Sequence, residues 1–439
     1  MNNKQIHPVD EMLPLEQLFL YGLQHVLAMY AGAVAVPLIV ANALNLSKEE
    51  LIYLINADLF TCGIATLIQT LGLWKMGVKI PLIQGVTFAA VTPMIMIGQT
   101  HGLAGIYGSV IVAGLITFLV SPYFSRLIRF FPPVVTGSII TIIGLSLLPV
   151  AVRWAGGGNP SAANFGDFQF IGLAFLVLLL VLLFYRYFKG FLSNIAVLLG
   201  LFAGTLIAVP MGLVSFSEVS GAAWIGVTTP FAFGLPVFDM ASIAAMTLVM
   251  LVVMTETTGD IIAVGEIIDK PISQEDLTRG LRADGFSTML GGIFNAFPYT
   301  AYAQNVGLVG MTRVKSRFVV AAAGAILILL GLFPKSAAVV AAIPNAVLGG
   351  AGIAMFGMVA ASGIKTLSKV KFEGTHNMMV VAISVAVGLI PLAVPGFYQK
   401  FPGWAQVILH SGITAGSVTA IVLNALFNGA GQPAQKAAA

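Results

Sequence analysis

Five ionisable side chains fall inside long apolar stretches of this sequence: His25, Asp58, Glu256, Asp260 and Asp284. Charge buried in such surroundings is costly and marks a functional candidate. Glu256 and Asp260 are four residues apart, so on a helix they share a face. Thr255, Thr257 and Thr258 extend that patch, and Gly259 loosens the helix between the two acids. Two carboxylates this close in a low-dielectric site rarely both stay ionised, which makes either a carrier for a proton. Each feature also has a plainer reading. Asp260 could cap the cytoplasmic end of its span, Asp284 could pair with Arg282 at the membrane surface, and His25 could be a packed, hydrogen-bonded histidine.

The second concentration of chemistry lies in residues 297–313, where Gln304 and Asn305 sit between Pro298 and the glycines at 307 and 310. Carboxamides both donate and accept, so they can read the edge of a small planar solute. Broken backbone is tolerated at membrane depth only where protein or a water-filled cavity covers it. Other chemistries find no support. There is no metal-ligand spacing of His, Cys, Asp or Glu and no H-E-x-x-H. Gly156–Gly158 and Gly349–Gly350 lack the Lys-Ser/Thr of a phosphate loop, and no nucleophile constellation suggests an intramembrane enzyme. The single cysteine, Cys62, excludes an intramolecular disulfide and reads as a small packing residue. The net charge of +4 is dispersed between hydrophobic spans and implies no nucleic-acid partner.

The elements that position these groups are transmembrane helices. Charged residues are 9% and hydrophobic residues 58% of the 439 residues, against about 25% charged in a soluble domain. Apolar runs predict an all-α polytopic membrane protein with fourteen spans, at 17–43, 50–73, 80–98, 103–121, 127–150, 169–187, 192–212, 238–258, 278–296, 298–311, 316–333, 345–364, 376–395 and 403–427. With both termini cytoplasmic, seventeen Lys and Arg, including Lys4, Arg126 and Lys436, fall inside, and only Lys48, Arg153, Lys335 and Lys400 fall outside. This is the asymmetry expected of cytoplasmic loops. No cleavable signal peptide is evident before the first span.

Two short segments interrupt the pattern in parallel. Ile80-Pro81 through Gln84-Gly85-Val86-Thr87-Phe88 opens span three, and Phe297-Pro298 through Gln304-Asn305 opens span ten. A second pair is Phe131-Pro132-Pro133 and Ile343-Pro344-Asn345. The offsets are 217 and 212 residues, seven spans, which gives the halves opposite topology. Interrupted segments at matching positions point to a midplane site between inverted repeats, here 7+7.

The spacing Gln304-Asn305-x-Gly307-x-x-x-x-Thr312-Arg313 resembles the signature of the nucleobase–ascorbate transporter family, and Thr255-Glu256-Thr257-Thr258-Gly259-Asp260 resembles that family's span-eight motif. The stretches 24–33 and 291–300 are similar to the bacterial xanthine and uric acid permease branch. The resemblance runs from about Gln17 to Asn424. It implies that Glu256 accepts from ring N–H groups of a nucleobase while Gln304 makes a second, bidentate contact and Asn305 shapes the site. It further implies that backbone N–H groups around Thr87 and Phe88 meet the substrate, with Phe88 as a stacking surface. Ser411 matches a position tied to selectivity, Asp284 an essential span-nine aspartate, His25 a span-one histidine, and Asp260 a support for the site.

The resemblance also implies core segments at 1–121 and 231–335, gate segments at 122–230 and 336–430, a tail at 431–439, and a homodimer in the cell membrane. The expected function is import of oxidised purines, xanthine and/or uric acid, by proton symport with elevator-like alternating access, without cofactor or metal. Sodium coupling through Asp284, a uracil or broad nucleobase permease, and a channel are the alternatives. Gln rather than a carboxylate at 304 and Asp rather than His at 260 disfavour the uracil branch, and acidic groups at the site disfavour a sulfate-type anion carrier.

Overall fold

The computed structural model of this chain describes residues 7–124, 128–373 and 375–429. Lys4, Arg126, Lys436, the first residue of the span expected over 127–150, and the tail expected over 431–439 lie outside them.

Where side chains are apolar and water is absent, the backbone must satisfy itself, and helices do so within one segment. The first half runs α1 (Leu15–Ala43), α2 (Lys48–Leu71), strand β1 (Gln84–Val86), α3 (Val91–Val120), α4 (Pro133–Ala155), α5 (Phe168–Tyr187) and α6 (Ala196–Ala208). The second half runs α7 (Met240–Ile267), α8 (Gln274–Ile293), strand β2 (Tyr299–Ala301), α9 (Ala303–Thr312), α10 (Arg317–Gly331), α11 (Pro334–Ala341), α12 (Asn345–Leu367), α13 (Asn377–Ala393), α14 (Gly403–Leu409) and α15 (Gly412–Asn428). Among the described residues, seven helices are long and apolar enough to cross a membrane, and α10 with α11, bent by 81°, makes an eighth.

Among the boundaries that differ from the sequence expectation, three change the reading most. The spans expected over 80–98 and 103–121 emerge as a strand, a 3₁₀ turn at Phe88–Ala90 and one helix kinked at Gly102, whose φ of 65° no ordinary helical residue adopts. α7 continues nine residues past the expected end at 258, so Glu256 and Asp260 lie in its interior rather than near its end. The last span breaks at His410–Ser411 into α14 and α15.

The helices pack in two groups. In one, α2 lies on α10, α3 on α8 and α7, and α1 on α10; β1 and β2 lie among them. In the other, α4 lies along α12, α5 packs on α12 and α6, and α13 packs on α4 and α15. Small residues make the close approaches in the first group, as in other helix pairs within membranes. A Cβ on Gly63 of α2 would strike the carbonyl of Gly324 in α10, and one on Gly114 of α3 would come within 2.7 Å of the Gly285 carbonyl in α8. Gly63→Leu is expected to lower the melting midpoint of the detergent-purified protein, since overpacking costs about 1–3 kcal/mol. Gly172→Ala, with nothing within 4 Å of the new Cβ, is the control that leaves it unchanged. An unshifted midpoint in Gly63→Leu would contradict this packing.

Candidate functional site

Two three-residue strands at membrane depth need partners for their backbone, and the neighbouring helices supply them. β1 and β2 pair antiparallel, with Gln84 opposite Ala301, Gly85 opposite Thr300 and Val86 opposite Tyr299. Just beyond the pair, the Thr87 N–H donates to the Pro298 carbonyl at 2.9 Å. On β1, the Gln84 N–H donates to Thr66 Oγ1 at 3.1 Å, and Cys62 Sγ donates to the Gln84 carbonyl at 2.7 Å. On β2, the Tyr299 N–H donates to Thr288 Oγ1 at 3.1 Å and the Ala301 N–H to Thr257 Oγ1 at 3.3 Å. The hydroxyls and the thiol replace the partners that water would offer elsewhere. Cys62 is therefore a hydrogen-bond donor to the strand as well as a packing residue.

Beside the strands lies a cavity of about 640 Å³. Its walls are α1 at Leu27, Ala28, Met29, Ala31 and Gly32, the chain from Val86 to Ala89, α7 at Thr255, Glu256, Gly259 and Asp260, and the chain from Thr300 to Gln304. Ile140, Ile143, Met355, Met358 and Val359 of the second helix group complete it, and Asn194, Ser362, Thr366 and Lys369 also line it. Glu256, Asp260, Gln304, Thr87 and Phe88 are thus brought together around one space. The Phe88 ring meets Phe356 edge-on, with centroids 5.9 Å apart. Two helix starts border the cavity: the turn at Phe88 and the first turn of α9 at Ala303. Their leading N–H groups have no partner within the helix and favour negative charge.

Other expected site residues stand elsewhere. Asn305 is 1% exposed and turned to α1, where its Nδ2 donates to the His25 carbonyl at 2.9 Å and lies 3.1 Å from His25 Nδ1. Together they clamp α9 to α1 rather than line the cavity. The Thr87 N–H is taken by Pro298 and the Thr87 hydroxyl accepts from the Ala89 N–H at 3.2 Å. Of the two backbone donors expected there, the Phe88 N–H is the one left. Asp284 is fully buried beneath the strands, with no ion pair to Arg282, whose guanidinium lies over the Phe118 ring at 5.7 Å. Neither carboxyl oxygen of Asp284 has a hydrogen-bond partner among the described residues. Ser411 is 0% exposed and caps α15, accepting from the Thr414 N–H at 3.2 Å, away from the cavity wall. Its position at a helix break explains its hydroxyl without a ligand.

The contributions of Met355, Met358 and Val359 were not foreseen, because in sequence they are indistinguishable from lipid-facing residues. The supports from Thr66 and Thr288 were missed as well, and Thr257 was read only as part of the patch around the two acids, though a threonine on a buried helix face beside a broken span is the signal for them. Among the described residues, the ion pairs Arg279–Glu275, Lys315–Asp269 and Arg317–Asp10 leave all the buried acids without a cation. No group of three or more His, Cys, Asp or Glu among the described residues could hold a metal ion.

A polytopic helical fold with two broken segments facing one cavity, lined by acids, a carboxamide and open helix starts, defines a membrane carrier for a small polar solute. Residues 16–397 match the family model described as "Permease family". The chain is 50% identical over 425 residues to the uric acid transporter UacT of Escherichia coli, with 96% of this chain and 88% of that protein covered. It is 48% identical to the xanthine permease of Bacillus subtilis, with 93% of each covered, and 49% identical to that organism's uric acid permease PucK, with 94% and 95% covered. The chain belongs to this permease family, the nucleobase–ascorbate transporters, and is a transporter, not an enzyme.

The fold is shared more widely. The transmembrane domain of the cyanobacterial bicarbonate transporter BicA matches with a TM-score of 0.60 at 14% identity, over 94% of this chain and all of that one. SLC26A9 matches with a TM-score of 0.62 at 11% identity, over 94% of this chain and 66% of that one.

Proposed function

We propose that this protein imports oxidised purine nucleobases, xanthine and/or uric acid, across the cell membrane by symport with protons. The observation that carries the reading is the placement of Glu256 and Gln304 on one cavity with the starts of two broken helices. Oxidised purines present N–H and C=O groups along one edge. A carboxylate accepts from the N–H groups, a carboxamide pairs with a donor and an acceptor together, and the open N–H groups serve the carbonyls. The names of the relatives, uric acid and xanthine permeases, support the same substrate class.

The proton has candidate seats at Glu256, Asp260 and Asp284, none of which carries a neutralising cation among the described residues, and at His25. A proton bound at one of the carboxylates would cancel buried charge and permit the loaded protein to close.

The packing supports a reading of fourteen spans in two inverted halves. α2 on α10 in one place is answered by α8 on α3 in the other, and α1 on α10 by α7 on α3. The glycine contacts Gly63–Gly324 and Gly285–Gly114 exchange in the same way. Exchanging the halves also maps α5 on α12 onto α13 on α4. In this reading the first helix group is a core that carries the substrate and the second a gate against which it slides. The cavity lies on their seam, and Lys369 at its edge belongs to the side assigned to the cytoplasm, which supports an inward-facing state. Differential binding to the two closed states must drive the motion. A homodimer, both termini cytoplasmic, completes the proposal.

Thr87 is small and hydroxylated, and we assign it the room for the 8-oxo group that distinguishes urate from xanthine. Thr87→Ala is expected to change the ratio of urate to xanthine uptake; an unchanged ratio would remove that role.

A further inference from the structure

One face of α2 carries Asp58, Cys62 and Thr66, four residues apart and therefore stacked in a row. All three are buried, at 1%, 0% and 0% exposure. Cys62 and Thr66 bond the backbone of β1 at Gln84, as described. Asp58 does the corresponding task for β2: the Tyr299 hydroxyl lies 3.0 Å from Asp58 Oδ1 and 3.0 Å from the Asp58 carbonyl. The second carboxyl oxygen, Oδ2, has no partner, and the neighbouring Thr61 hydroxyl is likewise unpartnered. Tyr299 is fully buried, and its chain neighbour Thr300 already lines the substrate cavity, with Gln304 five residues on. Among the described residues no other side chain bonds the Tyr299 hydroxyl, whereas β1 is held from α2 by two side chains, both at Gln84.

We propose that Asp58 is a positioning residue that acts through Tyr299, and that the stripe Asp58–Cys62–Thr66 on α2 is the template fixing both strands and so the reach of Gln304 into the cavity. What Asp58 supplies is an acceptor oxygen at a set distance, not charge and not a transported proton. The inference rests on the transport reading above for its functional arm, and on the strands alone for its structural arm.

Two consequences separate it from a general packing role. Asn keeps an oxygen where Oδ1 stands, so Asp58→Asn retains both Tyr299 contacts; Asp58→Ala loses the side-chain acceptor and keeps the backbone carbonyl, and Tyr299→Phe loses both. A buried hydrogen bond is worth about 0.5–1.5 kcal/mol net, which corresponds to about two- to tenfold. Tyr299→Phe is therefore expected to raise the KM for xanthine by about that factor with little change in maximal rate, Asp58→Ala by no more than that, and their combination is expected to be no worse than Tyr299→Phe alone.

The structural arm uses Cys62, the single cysteine of the chain, which lies directly beneath β1 and has no exposed surface. Its modification by a small thiol reagent, in membranes and without substrate, reports how often the strands lift from α2. Tyr299→Phe is expected to speed that modification about two- to tenfold, and Asp58→Asn to leave it at the wild-type rate. Unchanged Cys62 reactivity and unchanged KM in Tyr299→Phe would overturn the proposal. So would loss of uptake in Asp58→Asn with Cys62 still protected, since the carboxyl's proton rather than its acceptor oxygen would then be required. Faster modification in Tyr299→Phe, from a wild-type protein that takes up no oxidised purine, would sustain the α2 template and reject the substrate assignment alone.

Discussion

Glu256→Gln is expected to reach the membrane in normal amount and to lose concentrative uptake of xanthine. The substitution preserves size, so the packing of α7 is kept. It changes the chemistry of one wall of the cavity. A carboxylate is an acceptor at both oxygens, whereas the amide turns a pair of donors toward a substrate edge that also donates. A donor facing a donor leaves both unsatisfied, at about 1–3 kcal/mol. That alone reduces affinity about 5- to 150-fold. The amide also cannot take up a proton, so any uptake that survives should run down the substrate gradient and not against it. Uptake by membrane-inserted Glu256→Gln that still concentrates xanthine at the wild-type level would refute the role.

The second large effect is expected at Gln304. It opens α9, and of the two signature carboxamides it is the one on the cavity, since its neighbour Asn305 is spent on His25. Gln304→Ala removes a donor and an acceptor together and leaves two substrate groups without partners, a loss of about 1–3 kcal/mol for each. Uptake at low substrate should fall by more than tenfold. Gln304→Glu retains the acceptor and adds charge beside Glu256 and Asp260, so xanthine should be lost while any residual transport favours solutes with more N–H groups. Competition by a panel of unlabelled nucleobases measures both. Wild-type affinity in Gln304→Ala would place the substrate elsewhere in the cavity.

Much of this site was legible in the sequence because polar residues in an apolar chain have few reasons to be there. Glu256, Asp260, Gln304 and the broken segments around Pro81 and Pro298 stood out on that ground, and they share one cavity. The directions of side chains were not legible. Gln304 and Asn305 are adjacent and chemically alike, yet a helix turns successive residues by about 100°, so one faces the cavity and the other faces His25. Ser411 carried a resemblance to a selectivity position, but the break between α14 and α15 makes it a cap. Asp284 beside Arg282 suggested a surface pair, and only the packing of α8 against α3 and α2 shows the aspartate inside and the arginine against Phe118. The helix boundaries blurred where apolar composition continues through a kink, as at Gly102, because hydropathy does not register a change in backbone direction.

The central claim is that Glu256 and Gln304 together hold an oxidised purine that enters with a proton. Its most direct test is uptake of labelled xanthine by cells that express this chain and lack other purine carriers, with unlabelled urate, hypoxanthine, guanine and uracil as competitors, with and without a protonophore. The expected result is xanthine uptake that urate blocks, uracil does not, and the protonophore collapses. Absence of xanthine uptake from protein shown to be in the membrane would contradict the substrate, and uptake indifferent to the protonophore would contradict the coupling.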